Sequence, residues 1–147
     1  MTRLAVSSIL DVLAISSNVI NAAETSIVWR APRSVTTLFV RYGIFERVHA
    51  FAQHQGSVRG LIYADDPSAE SIRELVGTGA DIRLVNHDPP DLMLVADGRE
   101  SISSLSVAPG HLFPDSPFMA FWTDEPSYAQ WLLSSFEAEW TLSAKFS

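Results

Sequence analysis

Residues 56–101, GSVRGLIYADDPSAESIRELVGTGADIRLVNHDPPDLMLVADGRES, decide the fold. Residues 58–64 are short, apolar and closed by Asp66-Pro67, which predicts a strand followed by a helix cap and first-turn pair. The helix carries Ile72, Leu75 and Val76 on one face and stops at Gly77-Thr78-Gly79. Residues 81–85 read as the next strand, and a turn around His87-Asp88-Pro89-Pro90 leads into another over 91–96. Asp97-Gly98 is a strong hairpin signal, because a two-residue primed turn needs positive φ at its centre. Residues 101–107 are therefore expected antiparallel to 91–96, and the strand direction changes here.

Outward from this stretch the same rules extend the order. Residues 4–23 hold apolar side chains at nearly every helical spacing, without Gly or Pro, and predict a mostly buried helix. Residues 26–31 are β-rich and closed by Pro32, a strand. Ser34 is the expected cap of a helix in which Val35, Leu38, Phe39, Tyr42, Phe45, Val48 and Ala52 recur at three- and four-residue steps. Gly43 lies inside that pattern and predicts a kink or break before the end near Gln55-Gly56. Residues 108–117, with Pro109, Gly110, Pro114 and Pro117, read as a loop, and 118–122 as a last short strand. Thr123 or Asp124 is the expected cap of a closing helix with Pro126 in its first turn and Tyr128, Trp131, Leu132, Phe136 and Trp140 as its apolar stripe.

Composition bounds what such a chain can do. At 147 residues, with 47% hydrophobic and 18% charged positions, it is long enough for one real core, and no linker or repeat divides residues 1–147. The formal charge of −7 and the lack of a basic cluster disfavour direct nucleic-acid binding. No Cys is present, which removes disulfides and thiol chemistry and fits a cytoplasmic protein. Asp11 and Asn18 interrupt what would otherwise be a signal-peptide core, so the first segment reads as part of the domain. No other window approaches the ~18 uncharged apolar residues of a membrane span. A P-loop, a G-x-G-x-x-G and a G-x-S-x-G elbow are all absent, leaving nucleotide binding and serine hydrolysis without a motif.

Residues 56–86 resemble the phospholipase D superfamily pattern of strand, Gly-terminated helix and "AxIRxx" strand. LMLVADGRES (92–101) resembles the strand and Asp-Gly turn that carry the second part of that family's catalytic motif. FMAFWTDEPSYAQWLLSSFEAEW (118–140) resembles the strand and aromatic helix ending the non-catalytic sensor domains of TrmB-type and related prokaryotic transcription regulators. The resemblance implies a phospholipase-D-like α/β fold, a mixed sheet flanked by helices in a single domain. Active members carry His-x-Lys-x-x-x-x-Asp, in which His attacks phosphorus and Lys holds the phosphate oxygens; a phospho-His intermediate needs both. Aligning Asp97 with the motif's Asp puts Pro90 at the His position and Leu92 at the Lys position. No change of register helps, since Lys145 is the only Lys and no Arg stands two residues after His49, His54, His87 or His111. The resemblance implies the fold without the activity.

In open α/β sheets ligands gather at the C-terminal strand ends. Those ends offer Trp29, Arg30, Tyr63, Asp65 and His87, with Asp97 and Arg99 near the degenerate motif, a mixture suited to a small polar ligand. His87, Asp88 and Asp91 with Asp65 and Asp66 offer the makings of a hard-metal or acid/base cluster, but they read equally as a helix cap and two polar turns, and no second His stands at ligand spacing, so neither a metal nor another cofactor is expected. His49, His54 and His111 are expected at the surface.

The reading is a regulatory sensor domain that binds a small molecule or a protein partner. Its effector, or a DNA-binding domain, would lie on another chain or a missing segment. A homodimeric assembly module is the alternative, and a phosphodiesterase with atypical residues the remote one.

Overall fold

The structure, a computed structural model, describes residues 3–54, 56–63, 69–104 and 117–145. Along the chain run β1 (Arg3–Ser8), α1 (Ile9–Ala22), β2 (Ser26–Arg30), α2 (Arg33–Arg41), α3 (Ile44–His54), β3 (Ser57–Tyr63), α4 (Ala69–Gly77) and β4 (Asp81–Val85). They are followed by β5 (Met93–Ala96), β6 (Glu100–Ser104), β7 (Pro117–Thr123), α5 (Pro126–Leu142) and β8 (Ala144–Lys145). The expected cap at Asp66-Pro67, and the loop over 108–117 apart from its last residue, lie outside the described residues.

One eight-stranded sheet in the order β1-β7-β6-β5-β2-β3-β4-β8 holds the molecule together. β2, β3 and β4 are mutually parallel, while β5 runs antiparallel to both β2 and β6. β5 turns back into β6 through Asp97 (φ 58°), Gly98 (φ 66°) and Arg99, the first two in the left-handed region and the Arg99 N–H donating to the Ala96 carbonyl at 3.1 Å. Gly43 (φ 77°) divides the long second helical pattern into α2 and α3.

Side-chain alternation sorts the strands onto two faces. Ile27, Trp29, Val58, Ile62, Ile82, Leu92, Leu94 and Ile102 meet buried residues of α1–α4 in the larger core. Trp29 stands opposite Gly60 in the β2–β3 register, and a Cβ at Gly60 would lie 2.4 Å from its indole, so only glycine admits the ring. Val28, Leu61, Met93 and Val95 point the other way, onto Ala129, Leu132, Phe136 and Trp140 of α5.

Four expectations need correction. Residues 3–8 are a strand, not the start of a helix: β1 pairs with β7, and Ser8 caps α1 by accepting the Asp11 N–H at 3.3 Å. A tertiary pairing overrides local helical spacing there. α2 begins at Arg33 with Pro32 at its cap position, and the Oδ1 of Asp88 accepts the Arg33 N–H at 2.8 Å, so Ser34 is not the cap. α5 starts after Glu125, and Thr123 Oγ1 accepts the Glu125 N–H at 3.1 Å without capping the helix itself. Finally, Trp131 is 65% exposed, because the inward stripe is Ala129, Leu132, Phe136 and Trp140, and one position's offset turns it outward.

Candidate functional site

At the C-terminal ends of the parallel strands the chain leaves β2 at Arg30 and β3 at Tyr63, and β5 enters beside them at Met93. Alternation places Arg30 on the α5 face, where an apolar residue would be expected. Its side chain is 6% exposed, with Nη1 bound to Glu139 Oε1 and Nη2 lying 3.2 Å from Asp91 Oδ1 and 3.4 Å from Oδ2. Two carboxylates thus neutralise one buried guanidinium. Ion pairing of this kind offsets a desolvation cost of several kcal/mol per charge, so removing either side leaves the other stranded.

Arg30 does not stand alone. Arg83 lies in the same cross-strand row, two strands away through Leu61, and Arg59 sits one row below. Arg59 Nη2 reaches Glu137 Oε1 at 2.6 Å, and its guanidinium lies 5.2 Å and 5.4 Å from the ring centres of Phe136 and Trp140. Arg83 sits 4.3 Å over Trp140 and donates to its carbonyl oxygen at 3.1 Å. Arginines from neighbouring strands therefore pin the C-terminal half of α5 through charge and ring faces together.

The residues singled out from sequence do not converge. Trp29 is 1% exposed and packs against Phe45, ring centres 5.0 Å apart, inside the larger core. Tyr63 is half-buried at the strand end, and His87 is exposed with Nδ1 3.3 Å from Asn86 Oδ1. Asp65 lies outside the described residues, as do Asp66 and His111. Asp97 and Arg99 belong to the opposite end of the sheet: β5 is antiparallel to β2, and Ala96 stands against Ile27 while Met93 stands against Arg30. At ~3.3 Å per residue, that separates the two ends of β2 by about 13 Å.

Asp97 instead locks the entrance to β2. Its carboxylate accepts the N–H groups of Glu24, Thr25 and Ser26 at 2.7–3.1 Å and the Thr25 hydroxyl at 2.9 Å. Partial burial pushes the carboxyl up, but the N–H donors of Thr25, Ser26 and Glu24 together outweigh it and hold the group below the usual carboxylate value. Leu92, at the motif's Lys position, is 0% exposed; its N–H donates to Ser104 Oγ at 2.8 Å. Glu139 went unnoticed in the sequence, although Glu137-Ala138-Glu139 near the end of an aromatic helix is the signal that could have paired it with Arg30 and Arg59.

No family model matches this chain, and no curated protein matches it. Solved structures do. TrmBL2, an archaeal chromatin protein whose structure shows a novel mode of DNA binding, overlays at a TM-score of 0.74 with 14% identity, covering 99% of this chain and 54% of that one. This chain thus spans about half the length of TrmBL2. Nuc from Salmonella typhimurium, a phospholipase D family member, gives 0.69 at 14% identity over 99% of this chain and 97% of its own. NucT from Helicobacter pylori gives 0.65 at 10% identity over 99% of each. Such likeness shows the fold, and the fold is phospholipase-D-like, as the sequence resemblance implied.

Proposed function

We propose that this phospholipase-D-like domain acts by binding, not by phosphoryl transfer: it takes up a small molecule or protein partner and passes that state to an effector. One observation carries the reading. At the strand ends, the charge of Arg30 is paired with Asp91 and Glu139, while Pro90 and Leu92 occupy the motif's His and Lys positions. Phosphoryl transfer through an enzyme phosphate needs a nucleophile and unneutralised cationic donors aimed at the phosphate oxygens. Here the nearest guanidinium already faces two carboxylates.

The DNA binding named for TrmBL2 belongs to that longer protein. A chain of charge −7 offers no surplus of cations to a phosphate backbone, so a DNA-reading effector would sit on another chain or segment. A cytoplasmic location goes with this reading. Full-length protein incubated with bis(4-nitrophenyl) phosphate is expected to give no turnover above buffer. Turnover that survives purification and is lost in His87→Ala or Asp97→Asn would overturn the proposal.

A homodimeric assembly module is the second reading, favoured by a patch that α5 leaves open. Met119 and Phe121 on β7 are 48% and 39% exposed and point to the α5 side, near a cleft of about 210 Å³ lined by Phe121, Trp122, Thr123 and Tyr128. Tyr128 and Trp131 extend it, their ring centres 5.7 Å apart. Apolar exposure of this kind marks contact surfaces.

A further inference from the structure

On the far side of the sheet from Arg30, α3 and α4 pack side by side and leave a cleft of about 310 Å³, to which α2 contributes Val40. Its floor is apolar, made by Val40, Phe45 and Leu75. Its walls are not. Glu46 and His49 stand one turn apart on α3, and Ser71 and Glu74 stand one turn apart on α4, so two polar pairs border the apolar floor. Neither Arg47 nor Arg73 lines it, and Arg47 is held on the α1 side by Asn21 Oδ1 at 3.1 Å. Among the described residues, the side chains of Glu46, His49 and Glu74 have no hydrogen-bond or ion-pair partner. The cleft is therefore concave, apolar at its base and negative at its rim, with a volume at the lower end of small-molecule sites, about 300–1,000 Å³.

We propose that this cleft binds a small organic cation, a protonated amine on an apolar body. The apolar part would cover Val40, Phe45 and Leu75, and the ammonium would lie between Glu46 and Glu74, where its three donors meet carboxylate oxygens. A bare metal ion fits less well, since among the described residues no three His, Asp or Glu side chains gather at ligand distance. An anionic ligand would meet two like charges. The inference deepens the small-molecule branch of the function proposed above by naming a ligand class, and it uses none of the residues around Arg30.

Full-length protein titrated with 2-phenylethylamine, 2-phenylethanol and 3-phenylpropanoate in a calorimeter tests it. The amine is expected to bind roughly tenfold more tightly than the alcohol, and to weaken with added salt, whereas the carboxylate gives no heat. Glu46→Gln/Glu74→Gln, at two exposed positions, is expected to stay folded and to lose that tenfold preference. Val40→Trp, which fills the floor, is expected to abolish binding of amine and alcohol alike. Equal affinity for amine and alcohol, wild-type affinity in the double Gln variant, or no amine binding at all would overturn it. The phosphodiesterase assay stands apart from these titrations, so the non-catalytic reading and the amine site fail separately.

Discussion

The two faces of the sheet are built on different rules. Toward α1–α4, the strands present Ile27, Trp29, Val58, Ile62, Leu92 and Leu94, all nearly inaccessible, against an equally apolar layer of helices. Toward α5 the same strands present Arg30, Arg59 and Arg83 beside Val28 and Leu61, roofed by Phe136, Trp140 and two glutamates, with Met119 and Phe121 left uncovered. One face specifies the fold by volume, the other by charge and ring geometry. The difference predicts how each will fail.

The largest effect should come from placing charge on the apolar face. Pro90→His/Leu92→Lys writes the family's His-x-Lys back into the sequence, yet Leu92 is 0% exposed and belongs to the apolar core shared with α1–α4. Burying an unpaired ammonium there costs about 4 kcal/mol or more, a large share of the roughly 5–15 kcal/mol that holds an ordinary domain together. Urea denaturation should show the loss, and no phosphodiesterase activity should appear. A stable, active double variant would mean that the site is poised for chemistry after all.

On the α5 face the same logic gives a contrast between variants. Arg30→Ala strands Glu139, whose Oε2 is buried without a partner, and should cost about 3 kcal/mol. Arg30→Met/Glu139→Met removes the buried guanidinium together with its part-buried glutamate and leaves Asp91, about one-third exposed, to water; its cost should stay within about 1 kcal/mol of wild type. If both variants lose the same stability, the guanidinium acts through packing and the charge argument is wrong.

Asp97 lies at the other end of β2, and its effect depends on pH. Asp97→Ala loses the acceptor for three backbone N–H groups and forces Ala into φ near +58°, an expected loss of about 2 kcal/mol at neutral pH. Asp97→Asn keeps the left-handed backbone but has one acceptor oxygen and a clashing donor, so it should cost less. Because the folded-state pKa lies below the ordinary 3.8, the carboxylate's contribution is complete above that value and fades as pH falls through the folded pKa. Thermal melts of wild type and Asp97→Asn should therefore differ by a constant amount down to about pH 4 and converge below it. A difference that stays constant through the acid limb would show that the turn, not the charge, is at stake.

How far the sequence reveals this follows the two faces. Elements of the apolar face were legible because period and punctuation agree: Gly43, Gly77-Thr78-Gly79 and Asp97-Gly98 each mark a real boundary or turn. β1 was not, since its identity as a strand depends on β7 more than a hundred residues away. Arg30 was legible as a candidate, but not its partners, because Asp91 and Glu139 reach it from β5's approach and from α5, separations no local pattern encodes. Asp97 was found for its place in a motif, whereas its partners 71–73 residues earlier give it a structural role.

The uncovered part of the α5 face carries the smallest expected effect on folding and the sharpest test of assembly. Trp131 is 65% exposed and touches Tyr128 alone among ring partners in the described residues, so Trp131→Ser should change monomer stability by no more than about 0.5 kcal/mol. Association is another matter. A large aromatic at the centre of an apolar patch is the usual anchor of a contact, and truncating one typically costs about 2 kcal/mol or more of binding energy. In a twofold dimer each copy would contribute the same Trp131, Met119 and Phe121, so one substitution is felt twice. Sedimentation equilibrium of wild type, Trp131→Ser and Phe121→Ser should show a dimer that weakens in both variants while their melting points hold. Unchanged association in both variants would remove this patch as an interface and, with it, the observation that favours the assembly reading over a ligand-binding one.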